Sequence, residues 1–183
     1  LSFYSWSPTN SLSTPNESST LAFPFQTTTY TVTAFDLGDN LVENGDFEAG
    51  NVGFTSGYTN VPGNGSGMCQ GCYSVNTTIP SLWTQCAAID NNMMVMNGAP
   101  EANVNVWCQE IDVTPNTDYF FSTQLQTINS PVPELQYSVN GDLLGTSFLG
   151  SWACNVVEYY ETINSGINTT LEICIVNQST ATG

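Results

Sequence analysis

The sequence predicts an all-β protein, an antiparallel β-sandwich, and three observations predict it. Short runs rich in β-branched and aromatic residues recur along the chain, several of them alternating apolar with polar positions. Clusters of Gly, Pro, Asn and Ser separate the runs at the close spacing of a sandwich or barrel. Almost no segment carries the apolar period of an amphipathic helix. Of the 183 residues, 40% are apolar, which is enough for a buried core. No stretch is long and apolar enough to span a bilayer.

The elements follow in chain order. TTTYTVTAF (27–35) sets Tyr30, Val32 and Ala34 against threonines, as a half-buried strand does. MMVMNG (93–98) is a short apolar run ending at a turn. ANVNVWCQEIDV (102–113) alternates first as Val104, Val106, Cys108 and then as Ile111, Val113. The slip of one position near Gln109 and Glu110 predicts a β-bulge there. TPNTDYFFSTQLQT (114–127) places a Pro-Asn turn before a strand. Tyr119, Phe121 and Leu125 share one face of it, and Phe120, Gln124 and Gln126 the other. PELQYSVNGDLLG (133–145) reads as a hairpin closed by Asn140-Gly141 in a type I′ turn. TTLEICIVNQ (169–178) faces Leu171, Ile173 and Ile175 together.

Texture divides the chain near Gly38. Residues 1–37 are rich in Ser, Thr and Pro and supply too few strands for a core of their own. They read as part of a neighbouring domain or as an extension docked on the rest. Residues 38–183 hold the denser strands and all six cysteines.

Charge excludes more than it assigns. There are 16 Asp and Glu and no Lys, Arg or His, for a net charge of −16. An ordinary chain of this length carries roughly 20 Lys and Arg. No side-chain ion pair can form, and nothing can neutralise a nucleic-acid backbone, so nucleic acid is not an expected partner. Anionic membrane surfaces are disfavoured for the same reason. Trypsin-like cleavage, lysine-based isopeptide cross-links and Ser-His-Asp catalysis have no residues to work with. A glycosidase needs only two carboxylates, but nothing in the sequence pairs Glu101, Glu110, Asp112, Glu134 or Glu158. No catalytic residue is assigned.

Cys69, Cys72, Cys86, Cys108, Cys154 and Cys174 make an even set, which predicts disulfides in an oxidising compartment. Cys69 and Cys72 form a CxxC, but without His or a second CxxC a zinc site has little support. Spacing leaves the pairing open.

Several ordered stretches resemble known domains. FYSWSPTNSLSTPN followed by TTTYTVTAFD is similar to the C-terminal half of Ig-like repeats in giant surface proteins of Bacteroidota secreted through the type IX pathway. NLVENGDFEAGNVGFTSGY, MMVMNGA, VWCQEIDVTPNTDYFFS, LQYSVNGDLLG and LEICIVNQST resemble the galactose-binding-like jelly-roll domains of the same proteins, which are related to carbohydrate-binding modules. The resemblance implies a jelly-roll sandwich preceded by a partial Ig-like segment, on an extracellular, cell-surface protein. It also implies a final strand of Leu-Asp-Asp-Ile type, which this chain does not contain. In such domains the Glu matching Glu48, with nearby carbonyls, binds structural Ca²⁺, and Asp46 is a second candidate ligand. Hard oxygen donors suit that ion.

Sugars are held by aromatic faces flanked by amides and acids. Tyr58, Trp83, Trp107, Trp152 and Tyr160, with Gln124 and Gln126, are the candidates; each also fits an ordinary core or rim role. The Asn-x-Ser/Thr sequons at Asn16, Asn64, Asn76, Asn168 and Asn177 read as incidental to an Asn- and Thr-rich composition. The expected function is a non-catalytic adhesin module binding a glycan or cell-surface ligand, in gliding or colonisation, with flanking domains of the same polypeptide as further partners. A ligand-free spacer or filament subunit built by strand docking, or an accessory module of a secreted polysaccharide hydrolase, are the alternatives. No membrane insertion is expected.

Overall fold

The computed structural model describes residues 2–62, 68–79, 86, 91–151 and 154–180, without the side chains of residues 2, 3, 35 and 36. Among the described residues every regular element is a strand, so none is a helix able to cross a membrane. The chain falls into two compact units, Leu1–Asn40 and Leu41–Gly183.

In the first unit β1 (Ser2–Ser7) pairs antiparallel with β2 (Thr31–Asp36) from Ser2↔Asp36 to Ser7↔Thr31. The strand predicted from residue 27 begins only at Thr31. The long connection folds back on itself through a bridge between Leu12 and Ala22. Trp6 anchors it, its backbone N–H donating to the Pro15 carbonyl at 2.8 Å and its Nε1 to the Glu17 carbonyl at 2.9 Å. None of its described side chains is fully buried, as expected of two strands alone.

The second unit is a β-sandwich. One layer is a four-stranded antiparallel sheet in the order β6 (Val104–Asp112), β11 (Thr170–Asn177), β8 (Glu134–Val139), β9 (Asp142–Leu149). Against it lie the antiparallel ribbon of β10 (Val156–Asn164) with β7 (Asp118–Gln126) and the sheet β3 (Thr59–Asn60), β4 (Cys72–Asn76), β5 (Met93–Asn97). Among the described residues only β3–β4 is a parallel pairing. Residues from both sides meet in one apolar core containing Tyr73, Val106, Trp107, Phe121, Tyr137, Tyr159 and Leu171.

An aromatic row threads this core. Phe47 meets Phe54 edge-on at 5.7 Å, and Phe54 stacks on Trp107 at 6.5 Å. Trp107 stacks on Phe121 at 6.0 Å, and Phe121 meets Tyr137 at 4.7 Å. Tyr137 stacks on Tyr159 at 4.2 Å, and Tyr159 touches Phe148 at 5.6 Å. Such pairs add about 0.5–1.5 kcal/mol each beyond the area they bury. The buried hydroxyls are paired: Tyr137 OH donates to the Tyr159 carbonyl at 2.8 Å, and Tyr159 OH to that of Thr146 at 2.9 Å. Polar groups buried with partners cost little.

The hairpin turn forms as predicted, with Asn140 and Gly141 at φ of 52° and 87°. The bulge does not fall where expected. Register shifts where Ile175 faces Trp107 and Val176 faces Asn105, which makes Val106 the extra residue. That extra residue shifts the inward phase from Val104 and Val106 to Trp107, Gln109 and Ile111, so the slip read at Gln109 is the same bulge three positions earlier. Gln109 points inward, accepting from the Glu43 N–H at 2.9 Å and donating to the Glu43 carbonyl at 3.0 Å, and so fastens the stretch before the first loop to β6.

Candidate functional site

Strand alternation builds one outward face on the β10–β7 ribbon. Residues directly opposite in an antiparallel pair share a face. Val156 lies opposite Gln126, Glu158 opposite Gln124, Tyr160 opposite Ser122 and Thr162 opposite Phe120. The alternate set, Phe121, Leu125, Tyr159 and Ile163, belongs to the core. Phe120 and Tyr160 stack diagonally across the strands at 5.3 Å between centroids and 29° between planes. Both are half-buried, while Ser122, Gln124, Glu158 and Thr162 are exposed. Gln126 donates from Nε2 to the Cys154 carbonyl at 2.8 Å, fixing the approach to β10. The Cys86–Cys154 disulfide braces the same end of the ribbon.

This face gathers Gln124, Gln126 and Tyr160 from the sequence candidates. It adds Phe120, which was placed on the right strand face but not named as a contact. It adds Glu158, a carboxylate to which the sequence alone assigns no partner. Two other candidates go elsewhere. Trp107 is 4% exposed, with its ring between Phe54 and Phe121. Tyr58 is 6% exposed, and its OH accepts from the Ala99 N–H at 3.0 Å. Neither can offer a ring face to a sugar, because the core occupies it. Trp83 and Trp152 lie outside the described residues.

The NGDFEAG loop is bonded to itself. Asn44 and Phe47 take positive φ of 51° and 58°. Asn44 Nδ2 donates to the carbonyls of Gly50 at 2.9 Å and Val52 at 2.7 Å, and its Oδ1 accepts from the Ala49 N–H at 2.9 Å. Asp46 Oδ1 accepts from the Glu48 N–H at 3.2 Å, and Glu48 Oε1 from the Asn92 N–H at 3.0 Å. Backbone N–H groups thus face part of each carboxylate, in a chain without cationic side chains. Among the described residues no third acid, Cys or His joins the pair. The two carboxylates supply fewer than the roughly six to eight oxygens calcium takes, so carbonyls and water would have to complete a set.

All six cysteines are paired, as Cys69–Cys72, Cys86–Cys154 and Cys108–Cys174. Cys108 and Cys174 are directly opposite on β6 and β11. An open depression near them is lined by Thr55, Asn103, Asn105 and Glu172 among others. It holds no aromatic ring, so the ribbon face is the better candidate for ligand contact. Glu110 and Glu172 also stand opposite each other on β6 and β11. This is an uncompensated like-charge pair across two strands.

The fold and face define a disulfide-braced β-sandwich with a partly exposed aromatic and amide surface. No family model matches the chain, and no solved structure matches it. Over 105 residues, 57% of the chain, it is 33% identical to Protein roller-3 of Caenorhabditis briggsae. The match spans 4% of that protein.

Proposed function

We propose that the chain is a non-catalytic, extracellular glycan-binding module of a cell-surface protein, with the outward face of the β10–β7 ribbon as its contact surface. The observation that carries this reading is the Phe120–Tyr160 stack with Gln124, Gln126 and Glu158 on one exposed face. Aromatic faces cover the apolar C–H surfaces of a pyranose, and amides and carboxylates bond its hydroxyls. Three disulfides support an oxidising compartment. The galactose-binding-like jelly roll, the Ig-like neighbour and the adhesive role in gliding or colonisation rest on the sequence resemblance, and the sandwich is compatible with it.

The test is glycan-array or polysaccharide pull-down binding with wild type, Tyr160→Ala and Phe120→Ala. Loss of binding in both variants, with melting temperatures close to wild type, supports the reading. Binding that survives both removes this face. Failure of the wild type to bind any glycan favours the ligand-free spacer.

Calcium is a separate proposal, an ion held by Asp46 and Glu48 with loop carbonyls and water. It predicts a melting temperature that rises with calcium, falls with chelator and loses this response in Glu48→Gln. Equal melting in calcium and chelator removes the ion.

A further inference from the structure

Glu158 sits at the centre of the candidate face. It lies opposite Gln124, with Val156 and Tyr160 as its same-face neighbours along β10. It is exposed, and among the described residues its side chain has no hydrogen-bond partner. In most proteins such a carboxylate has a Lys or Arg within reach somewhere on the surface. Here none exists in the whole chain, and the net charge is −16. No side chain among residues 1–183 can bring a cation to Glu158.

The same fact restricts the ligand. A uronate, sialylated or sulfated glycan would bring anions to a surface with no positive side chain to receive them. It would also enter the summed field of the remaining carboxylates, which repels anions and draws cations to the surface. Neutral sugars are tolerated. A sugar carrying a protonated amine gains, since the ammonium donates a charge-assisted hydrogen bond to Glu158.

Resting on the glycan-binding reading above, we propose that this face selects glycans bearing free amines, of the glucosamine-polymer class, over their N-acetylated or acidic counterparts. A basic peptide could satisfy an isolated carboxylate equally well. The stacked pair of rings beside two carboxamides is what favours a pyranose, which presents both a C–H face and hydroxyls.

The experiment is calorimetric titration of the intact chain with three oligosaccharides of matched length: glucosamine, N-acetylglucosamine and a uronate. A lysine hexapeptide serves as the fourth ligand. The glucosamine oligomer is expected to bind about tenfold tighter than the acetylated one at low ionic strength, the scale of one charge-assisted hydrogen bond. Added salt narrows the gap. Glu158→Gln, an isosteric change at an exposed site, closes the gap between the two oligomers. The uronate binds worst.

Equal affinity for the amine and acetylated oligomers, a gap that Glu158→Gln leaves intact, or a preference for the uronate overturns the inference and leaves the glycan-binding reading standing. Binding of the lysine peptide alone, abolished by Glu158→Gln, overturns the assignment of a sugar. If none of the three oligosaccharides binds, this inference falls, and the glycan array alone decides the reading on which it rests.

Discussion

Asn177 has a structural role that its sequon conceals. It is 2% exposed, and its Nδ2 donates to the carbonyls of Glu101 at 2.8 Å and Ser179 at 2.7 Å. Its own carbonyl accepts from the Asn103 N–H at 2.7 Å. The side chain therefore ties the end of β11 to the loop before β6, and a glycan on that nitrogen has no place in the fold. Asn177→Ala removes both donors and leaves carbonyls unpaired, a loss of about 2–3 kcal/mol read from the urea midpoint. Asn177→Asp should lose more, because a carboxylate would face the same carbonyl oxygens. A loss under about 0.5 kcal/mol, the level of a neutral surface change, would show that water replaces these bonds. Nothing in Asn-Gln-Ser distinguishes a buried Asn from a surface acceptor. The same limit applies to Trp107 and Tyr58. Residue type and alternation were readable, but depth was not, since a ring suited to stacking on a sugar is equally suited to stacking on Phe54 or Phe121. Alternation along β7 was enough to place Gln124 and Gln126 on the outward strand face.

Strands were most legible where one face carries a clear apolar alternate set. β6, β7, β8 and β11 each alternate cleanly enough to be found, and each lies within the stretch expected for it. β10 was not recognised as a strand. It reads VVEYYETIN, with a valine and a tyrosine on each side of the pleat, so its alternation blurs. The reason is that its outward face carries Val156 and Tyr160 as well as Glu158, which is half of the candidate site. β4 was missed because Cys72 and Tyr73 bury successive residues rather than alternate ones. Between elements, the disulfides differ in what they constrain. Cys108–Cys174 and Cys86–Cys154 close separations of 66 and 68 residues, whereas Cys69–Cys72 spans only 3. On loop entropy, opening either long bridge should cost roughly 4 kcal/mol and opening the short one roughly 2. Paired Cys→Ala variants compared by denaturant midpoint check the order. A larger loss for the Cys69–Cys72 variant would mean that this bridge holds folded structure around β4 rather than restricting the unfolded chain.

At the scale of the whole molecule, the absence of bases isolates one titration. Burial pushes the hydroxyls of Tyr58, Tyr137 and Tyr159 above the ordinary tyrosine value of 10.0. Tyr137, fully enclosed in the aromatic row, moves furthest, and the charges of Tyr159, Glu161 and Glu158 add to its burial. The unfolded chain releases these protons near pH 10 while the folded chain still holds them. The native state then binds more protons, and stability must fall as pH rises. The stabilisation is fully present below the unfolded value and is lost progressively toward the folded one. Each tyrosine contributes up to about 1.4 kcal/mol per pH unit in that window. In most proteins lysine and free thiols titrate across the same range and obscure this. Here there is no lysine, and every cysteine is in a disulfide. Stability should therefore begin to decline near pH 10, and the tyrosinate absorbance of the three buried residues should appear in step with loss of β-sheet circular dichroism. Tyr137→Phe removes one of the three contributions and should make the decline shallower, even though it also gives up the hydrogen bond to the Tyr159 carbonyl. If tyrosinate forms fully while the sheet signal persists, the hydroxyls of the aromatic row are open to solvent and the core is not sealed as described.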